Sequence, residues 1–283
     1  MNKKVNIARL SVISNFFLIL IKLVVGIISG SVSILSEAIH STMDLIASFV
    51  AFFSVKVSDT PPDERHPYGH GKIENISGVV EAILIFIAAV WIIYEAVHKI
   101  ISGGKIESIG MGSVVMLISA LVNSLVSMQL YKVAKETESV ALEADALHLK
   151  TDVFTSLGVA LGLGLIWLTG LYFLDPVVAI VVALFILFES YKMLKKAFTP
   201  LIDVSLDNQD IKTIETVIAD LHLHAHEIRT RKAGNYKFAD MHLEMDPEIP
   251  LKNVHEICDQ LEQILKEKIR NLDVNIHVEP LEK

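Results

Sequence analysis

Apolar residues fall in six long runs over the first two-thirds of the chain and then stop. The runs cover about residues 10–28, 32–57, 76–100, 109–130, 146–168 and 177–194. Each is close to the roughly 20 residues that a helix needs to cross the hydrocarbon core of a bilayer. The pattern predicts a multi-pass α-helical membrane protein with six transmembrane helices. The first run is long and leads directly into the second, as expected of a retained span rather than a cleaved signal.

From about residue 203 the period changes. Ile211, Ile214, Ile218 and Leu221 recur at helical spacing, as do Val254, Ile257, Leu261, Ile264 and Leu265. Between these helices Met241, Leu243 and Met245 alternate with His242, Glu244 and Asp246. Near the end Val274, Ile276 and Val278 alternate with Asp273, Asn275, His277 and Glu279. A period of two marks half-buried strands. With a strand over about 227–232 and a turn at Gly234 and Asn235, the order is helix, strand, strand, helix, strand. The expected organisation is a transmembrane domain over 1–202 and a soluble α+β (αββαβ) domain over 203–283.

Composition agrees with this division. The 283 residues are 52% hydrophobic and the mean hydropathy is +0.50, too apolar for an ordinary soluble protein. The net charge is -8, and the tail holds 17 acidic against 10 basic side chains, which argues against nucleic acid as a partner. Cationic residues sort by side: Lys3, Lys4, Arg9, Lys56, Arg65 and Lys72 on one, with Lys132, Lys135, Lys150, Lys192, Lys195 and Lys196. Only Lys99 and Lys105 fall on the other. Positive charge stays inside, so both termini and the tail are expected in the cytoplasm. The lone cysteine, Cys258, can form no internal disulfide and reads as a buried thiol on an amphipathic helix.

The candidate chemistry lies in ionisable groups set inside spans. A charged residue near mid-bilayer costs roughly 2.5 to 3.5 kcal/mol on insertion scales, so it marks function by default. The second run contains SEAIHSTMD and the fifth begins ADALHLKTD, giving His40 with Asp44 and His148 with Asp152. A four-residue spacing places each pair on one helix face. Facing each other, the pairs would offer two imidazoles and two carboxylates, a set suited to tetrahedral Zn²⁺. A lone pair of this kind is equally a helix-packing hydrogen bond, and its recurrence favours the metal. Glu37 and Asp145 precede the two histidines by one turn, as supporting groups for the site or as satisfied helix-end carboxylates. Glu81 receives no role at this level.

Two further clusters follow. The loop PPDERHPYGHGK holds Asp63, His66 and His70, a set that binds an exposed metal or stays unliganded. The tail carries six of the eleven histidines. His242, His277 and Glu279 share the polar phase of neighbouring strands, and His226 and His255 are candidates to complete a metal site there. Histidine on a polar strand face is also ordinary.

Six spans, paired ligands in the second and fifth, the DERHPYGHGK loop and an αββαβ tail resemble the cation diffusion facilitator family of metal/proton antiporters. The chain looks most like its bacterial homodimeric zinc exporters. The resemblance implies a transport site at His40, Asp44, His148 and Asp152. It also implies a loop site at Asp63, His66 and His70, and a tail site at His226, His242, His255, His277 and Glu279. It implies an interlocking ion pair between Lys72 and Asp203, and a metallochaperone-like tail that dimerises. Two histidines in the transport site imply zinc over manganese or iron, with Cd²⁺ or Co²⁺ also carried. The location implied is the cell membrane. A membrane-anchored metal sensor and an intramembrane metalloenzyme are the competing classes. The sensor needs no ligands within the spans, and the HExxH helix of metalloproteases is missing from the sequence.

Overall fold

A computed structural model describes residues 3–29, 32–102, 111–169 and 173–281. Lys105, the start of the fourth apolar run and the side chains of Glu37, His40 and Lys99 lie outside the described residues. Two compact units, Met1–Phe198 and Thr199–Lys283, divide the chain.

The first unit contains six long helices among the described residues: α1 (Lys3–Ser29), α2 (Val32–Ser58), α3 (Lys72–Ser102), α4 (Met111–Thr137), α5 (Val140–Thr169) and α6 (Leu174–Phe198). Several begin or end beyond the apolar runs because their polar turns continue past the greasy stretch. One such extension is at α5, which starts six residues before the 146–168 run, at Val140. Its first turn is held by Ser139, whose Oγ accepts the Leu142 N–H at 3.4 Å. Only Glu138 and Ser139 separate α4 from α5. Proline follows the end of α2 at Pro61 and Pro62, and Pro176 sits in the first turn of α6, where a missing N–H is harmless.

The unit is apolar outside and polar within. Phe17, Ile28, Trp91 and Phe188 face outward, whereas Ser11, Asn15, Ser48, Glu74, Glu81 and Asp145 are buried. A helix bundle in lipid has this distribution, since hydrocarbon accepts the first set and offers the second no partner. Among the described residues, four helical segments are long and apolar enough to cross a membrane by length and composition: Lys3–Val25, Lys72–His98, Leu117–Thr137 and Pro176–Ile202. The ionisable pairs lie on α2 and α5.

α5 packs against α2, α3, α4 and α6. One side contributes Ala141, Leu142, Ala146 and Leu149 to a core with Ala8 of α1, Val55 of α2 and Leu130 of α4. Another meets Ala82 of α3 and Met193 and Ala197 of α6 through Val140 and Ala144. Gly78 of α3 permits this approach: a Cβ there would lie 2.9 Å from Val140 Cγ1 and 3.1 Å from Ala197 Cβ.

At one end of the bundle a buried ion pair gathers four helices. The Lys4 ammonium donates to Glu74 at 2.8 Å and to Asp59 at 2.9 Å. Glu74, wholly buried, also accepts from Ser58 Oγ at 2.8 Å and Ser139 Oγ at 2.5 Å. Every oxygen of this carboxylate therefore has a donor, which makes its burial tolerable.

The second unit begins with a 3₁₀ turn (Thr199–Ile202) and continues α7 (Asn208–Asp220), β1 (His224–Ala233), β2 (Tyr236–Met245), α8 (Leu251–Lys268) and β3 (Leu272–Pro280). The order matches the αββαβ pattern expected from periodicity. β2 is central, antiparallel to β1 and parallel to β3, and α8 supplies the crossover that a parallel pair requires. Met241, Leu243 and Met245 of β2 face Ile214 and Val217 of α7 and Leu261 and Leu265 of α8 in one core. The alternate residues of β2, including His242, point to the other face. Cys258 packs against this core, and burial, with Asp259 beside it, pushes its thiol up.

Two outcomes follow. Glu74→Ala removes a carboxylate from buried Lys4 and is expected to destabilise the bundle by about 3–5 kcal/mol, read as a lower melting temperature in detergent. A raised thiol pKa means less thiolate near pH 8, so Cys258 should alkylate several-fold slower in the native protein than after denaturation, as followed by mass spectrometry.

Candidate metal centres

Three groups of metal-ligating side chains come together among the described residues, and in each the donor atoms lie within 4.8 Å of one another. The first is Asp44, His148 and Asp152 inside the bundle. The helical turn between residues 148 and 152 points both side chains of α5 the same way, and packing of α2 against α5 brings Asp44 to them. His148 Nε2 stands 3.2 Å from Asp44 Oδ1. His40 lies one turn before Asp44 on α2, and its side chain falls outside the described residues.

Polar neighbours surround this group. Ser48 Oγ donates to Asp145 Oδ1 at 3.3 Å and receives Asn15 Nδ2 at 2.6 Å, which links α1, α2 and α5. Asp145 is a fully buried carboxylate one turn before His148 on α5. Glu81 of α3 was given no role from sequence. It is fully buried, accepts from Ser77 at 3.2 Å through Oε1, and is close enough to Asp145 and His148 to interact with them electrostatically. Its Oε2 has no hydrogen-bond partner. The available signal was an acid between Val80 and Ala82 within the most apolar of the spans.

The second group is Asp63, His66 and His70 in the α2–α3 loop. Asp63 Oδ1 accepts the backbone N–H of His66 at 2.7 Å and of Arg65 at 2.9 Å. These bonds, that of His66 first, hold the Asp63 carboxyl below the usual carboxylate range, so it stays ionised and ready to ligate. His66 Nδ1 is 3.1 Å and His70 Nε2 3.5 Å from its oxygens. The turn that folds His70 back passes through Gly69 at φ 79°, a left-handed value suited to glycine.

The third group is His226, His242 and Glu279 on the sheet. His226, His242 and His277 are Cα partners across β1, β2 and β3, so one row of the sheet carries three imidazoles. Ring centroids are 5.3 Å apart for His226 and His242 and 4.9 Å for His242 and His277. Glu279 reaches back along β3 to lie 2.9 Å from His242 Nδ1, 3.3 Å from His226 Nε2 and 3.5 Å from His277 Nε2. A bulge after His226, with Glu227 at φ 48°, shifts the β1 register just beyond the row.

His255 stands apart. It lies on α8, exposed, with Nε2 3.4 Å from Asp259, and α8 covers the sheet face opposite the histidine row. Helical periodicity gave its position on α8 but not which sheet face the helix covers. Lys72 opens α3 in the first unit, and Asp203 belongs to the second, 3.7 Å from Arg231 Nη1.

A multi-span helical membrane protein with metal-ligating groups buried between its helices is, by class, a cation transporter. The comparisons agree. Residues 8–202 match the family model described as the cation efflux transmembrane domain, and residues 206–281 match that of the cation efflux protein cytoplasmic domain, designated ZT_dimer. The chain belongs to the cation efflux, or cation diffusion facilitator, family, and is a transporter rather than an enzyme. It is 34% identical to the cation-efflux pump FieF of Klebsiella pneumoniae, over 93% of this chain and 88% of that one. An uncharacterized transporter of Synechocystis is 34% identical over 90% of this chain and 83% of its own length. A solved structure of the candidate zinc transporter CzrB covers 27% of this chain and 99% of its own, at 30% identity and a TM-score of 0.26.

Since Glu279 touches all three imidazoles of the row, Glu279→Ala is expected to weaken divalent-metal binding at the tail by about 10–100-fold, the scale seen when metal-site supports are removed. Titration of the full-length protein with Co²⁺, followed by its visible absorption, measures this.

Proposed function

We propose that this chain exchanges Zn²⁺ for protons across the cell membrane and exports the metal from the cytoplasm, with His40, Asp44, His148 and Asp152 as the transport site. The observation that carries the reading is the approach of His148 on α5 to Asp44 on α2, with Asp152 in the same group. Mixed imidazole and carboxylate donors suit Zn²⁺, and Cd²⁺ or Co²⁺ fit the same set.

Coupling to protons follows from the ligands. Only neutral imidazole binds a metal, so a proton and Zn²⁺ compete for the same nitrogen, and His148 or His40 carries the proton. When the site opens to a more acidic side, protonation drives the metal off. When it opens to the cytoplasm, the histidines lose protons and bind again. Alternating exposure of one site converts a proton gradient into metal export.

The distribution of lysine and arginine supports cytoplasmic termini. The tail is read as a homodimerisation domain, on the designation of the model it matches. Asp63, His66 and His70 form a second metal site in the loop. His226, His242, His277 and Glu279, with His255 as a further candidate, form a third that senses cytoplasmic metal.

Asp152→Ala in proteoliposomes is expected to abolish zinc flux driven by an imposed pH gradient, with the protein still monodisperse and thermally stable. Near-wild-type flux would remove the intramembrane group from transport. In the intact protein, flux should rise as the trans side is acidified from pH 7.5 to 6, and a flat profile would rule out imidazole protonation as the coupling step.

A further inference from the structure

A cavity of about 370 Å³ opens between α4, α5 and α6, and Asp44, His148 and Asp152 are not among its lining residues. Two helices line it with acidic and basic side chains. α5 contributes Glu143, Leu147 and Lys150, and α6 contributes Glu189, Lys192 and Lys196. Both triplets have helical one-face spacing, so each helix turns one face to the cavity. Ala146 and Met193, almost fully buried, form the inner wall, and Tyr131 of α4 completes the rim.

The charge around this cavity is unbalanced. Lys196 lies 2.5 Å from Glu143, Lys135 lies 3.8 Å from the same carboxylate, and Lys192 lies 2.9 Å from Glu189. Lys150 is exposed and its described contact is with the Phe154 ring, at 5.3 Å. Three ammonium groups therefore share two carboxylates, and Lys150 adds a fourth positive charge. Each unpaired or shared ammonium can turn to an anion at little expense, because these side chains are long and lie near solvent.

The surroundings indicate where such an anion would come from. On α6, Leu184 and Phe188 are 54% and 56% exposed and lie on the apolar side of Lys192. On α4, Leu125 and Met128 are 50% and 59% exposed and lie in the same direction from Tyr131 and Lys135. Lys192 Nζ stands 4.0 Å over the Phe188 ring and Lys135 Nζ 5.2 Å over Tyr131. Ammonium groups above aromatic rings, at the end of an apolar helix surface, define the level of lipid headgroups. A polar anion in the cavity would have hydrocarbon-facing surface directly below it.

We infer that this cavity binds the phosphodiester headgroup of an anionic phospholipid, with its acyl chains along the exposed apolar faces of α4 and α6. Lys150 and Lys192 contact the phosphate. The site lies on the face of α5 opposite the one that carries His148 and Asp152, so an occupied headgroup would brace that helix from outside. The inference is independent of which metal is carried.

Native mass spectrometry of the full-length protein in neutral detergent tests it, with phosphatidylglycerol, phosphatidylcholine and glycerol 3-phosphate as probes. Phosphatidylglycerol is expected to bind saturably and to outcompete phosphatidylcholine. Lys150→Gln with Lys192→Gln should weaken it roughly tenfold or more, on the scale of two lost interfacial cations. Lys150→Arg with Lys192→Arg should keep it within about threefold, because charge and reach are retained. If the double glutamine variant does not fold, Lys150→Gln alone serves, with a loss of roughly threefold or more expected. Equal binding of phosphatidylcholine, displacement of the lipid by glycerol 3-phosphate at equal concentration, or unchanged affinity in the glutamine variants would each overturn the assignment.

Discussion

A charge inside a bilayer needs a partner, and helices supply one only where two of them face each other. That constraint arranges the transmembrane unit. α5 carries Asp145, His148 and Asp152 and packs against α2, α3, α4 and α6, so the helix that holds these ionisable groups is surrounded by protein. Asp44 of α2 and Glu81 of α3 point to it from two sides. Lipid sees instead the phenylalanine, isoleucine and tryptophan faces of the outer helices. The metal-ligating group is therefore also where the bundle resolves its largest electrostatic demand.

Polar contacts at other levels of the unit have a different character. The Glu74 carboxylate is fully supplied with donors by Lys4, Ser58 and Ser139 and holds four helices at one end. Glu81, by contrast, retains an oxygen with no donor, and it is buried beside His148. A fully supplied carboxylate is architectural. An incompletely supplied one keeps an unmet desolvation cost, which sets Glu81 apart from Glu74.

Much of this was readable in the residue pattern. The spans, the αββαβ order and the recurrence of His-x-x-x-Asp on two helices all depend on local periodicity, which survives in one dimension. The closeness of His226, His242 and Glu279 was also accessible, because strand alternation fixes a face and only the register had to be supplied. The placement of Glu81 was not accessible, since nothing in its flanking residues reveals that α3 turns it toward α5. The placement of His255 was not accessible either: helical spacing gave its position on α8 but not the sheet face that the helix covers. Helix ends were underestimated because hydropathy measures the membrane, and helices continue into water.

The connection between α4 and α5 is two residues long. The three Cα–Cα steps from Thr137 to Val140 span at most about 11 Å, so these helix ends stay close together. Ser139, one of the two, is also bonded to Glu74 on α3. Any rocking of α5 that changes access to His148 must therefore swing about this corner like a door on its post, with the widest excursion at the far end of the helix.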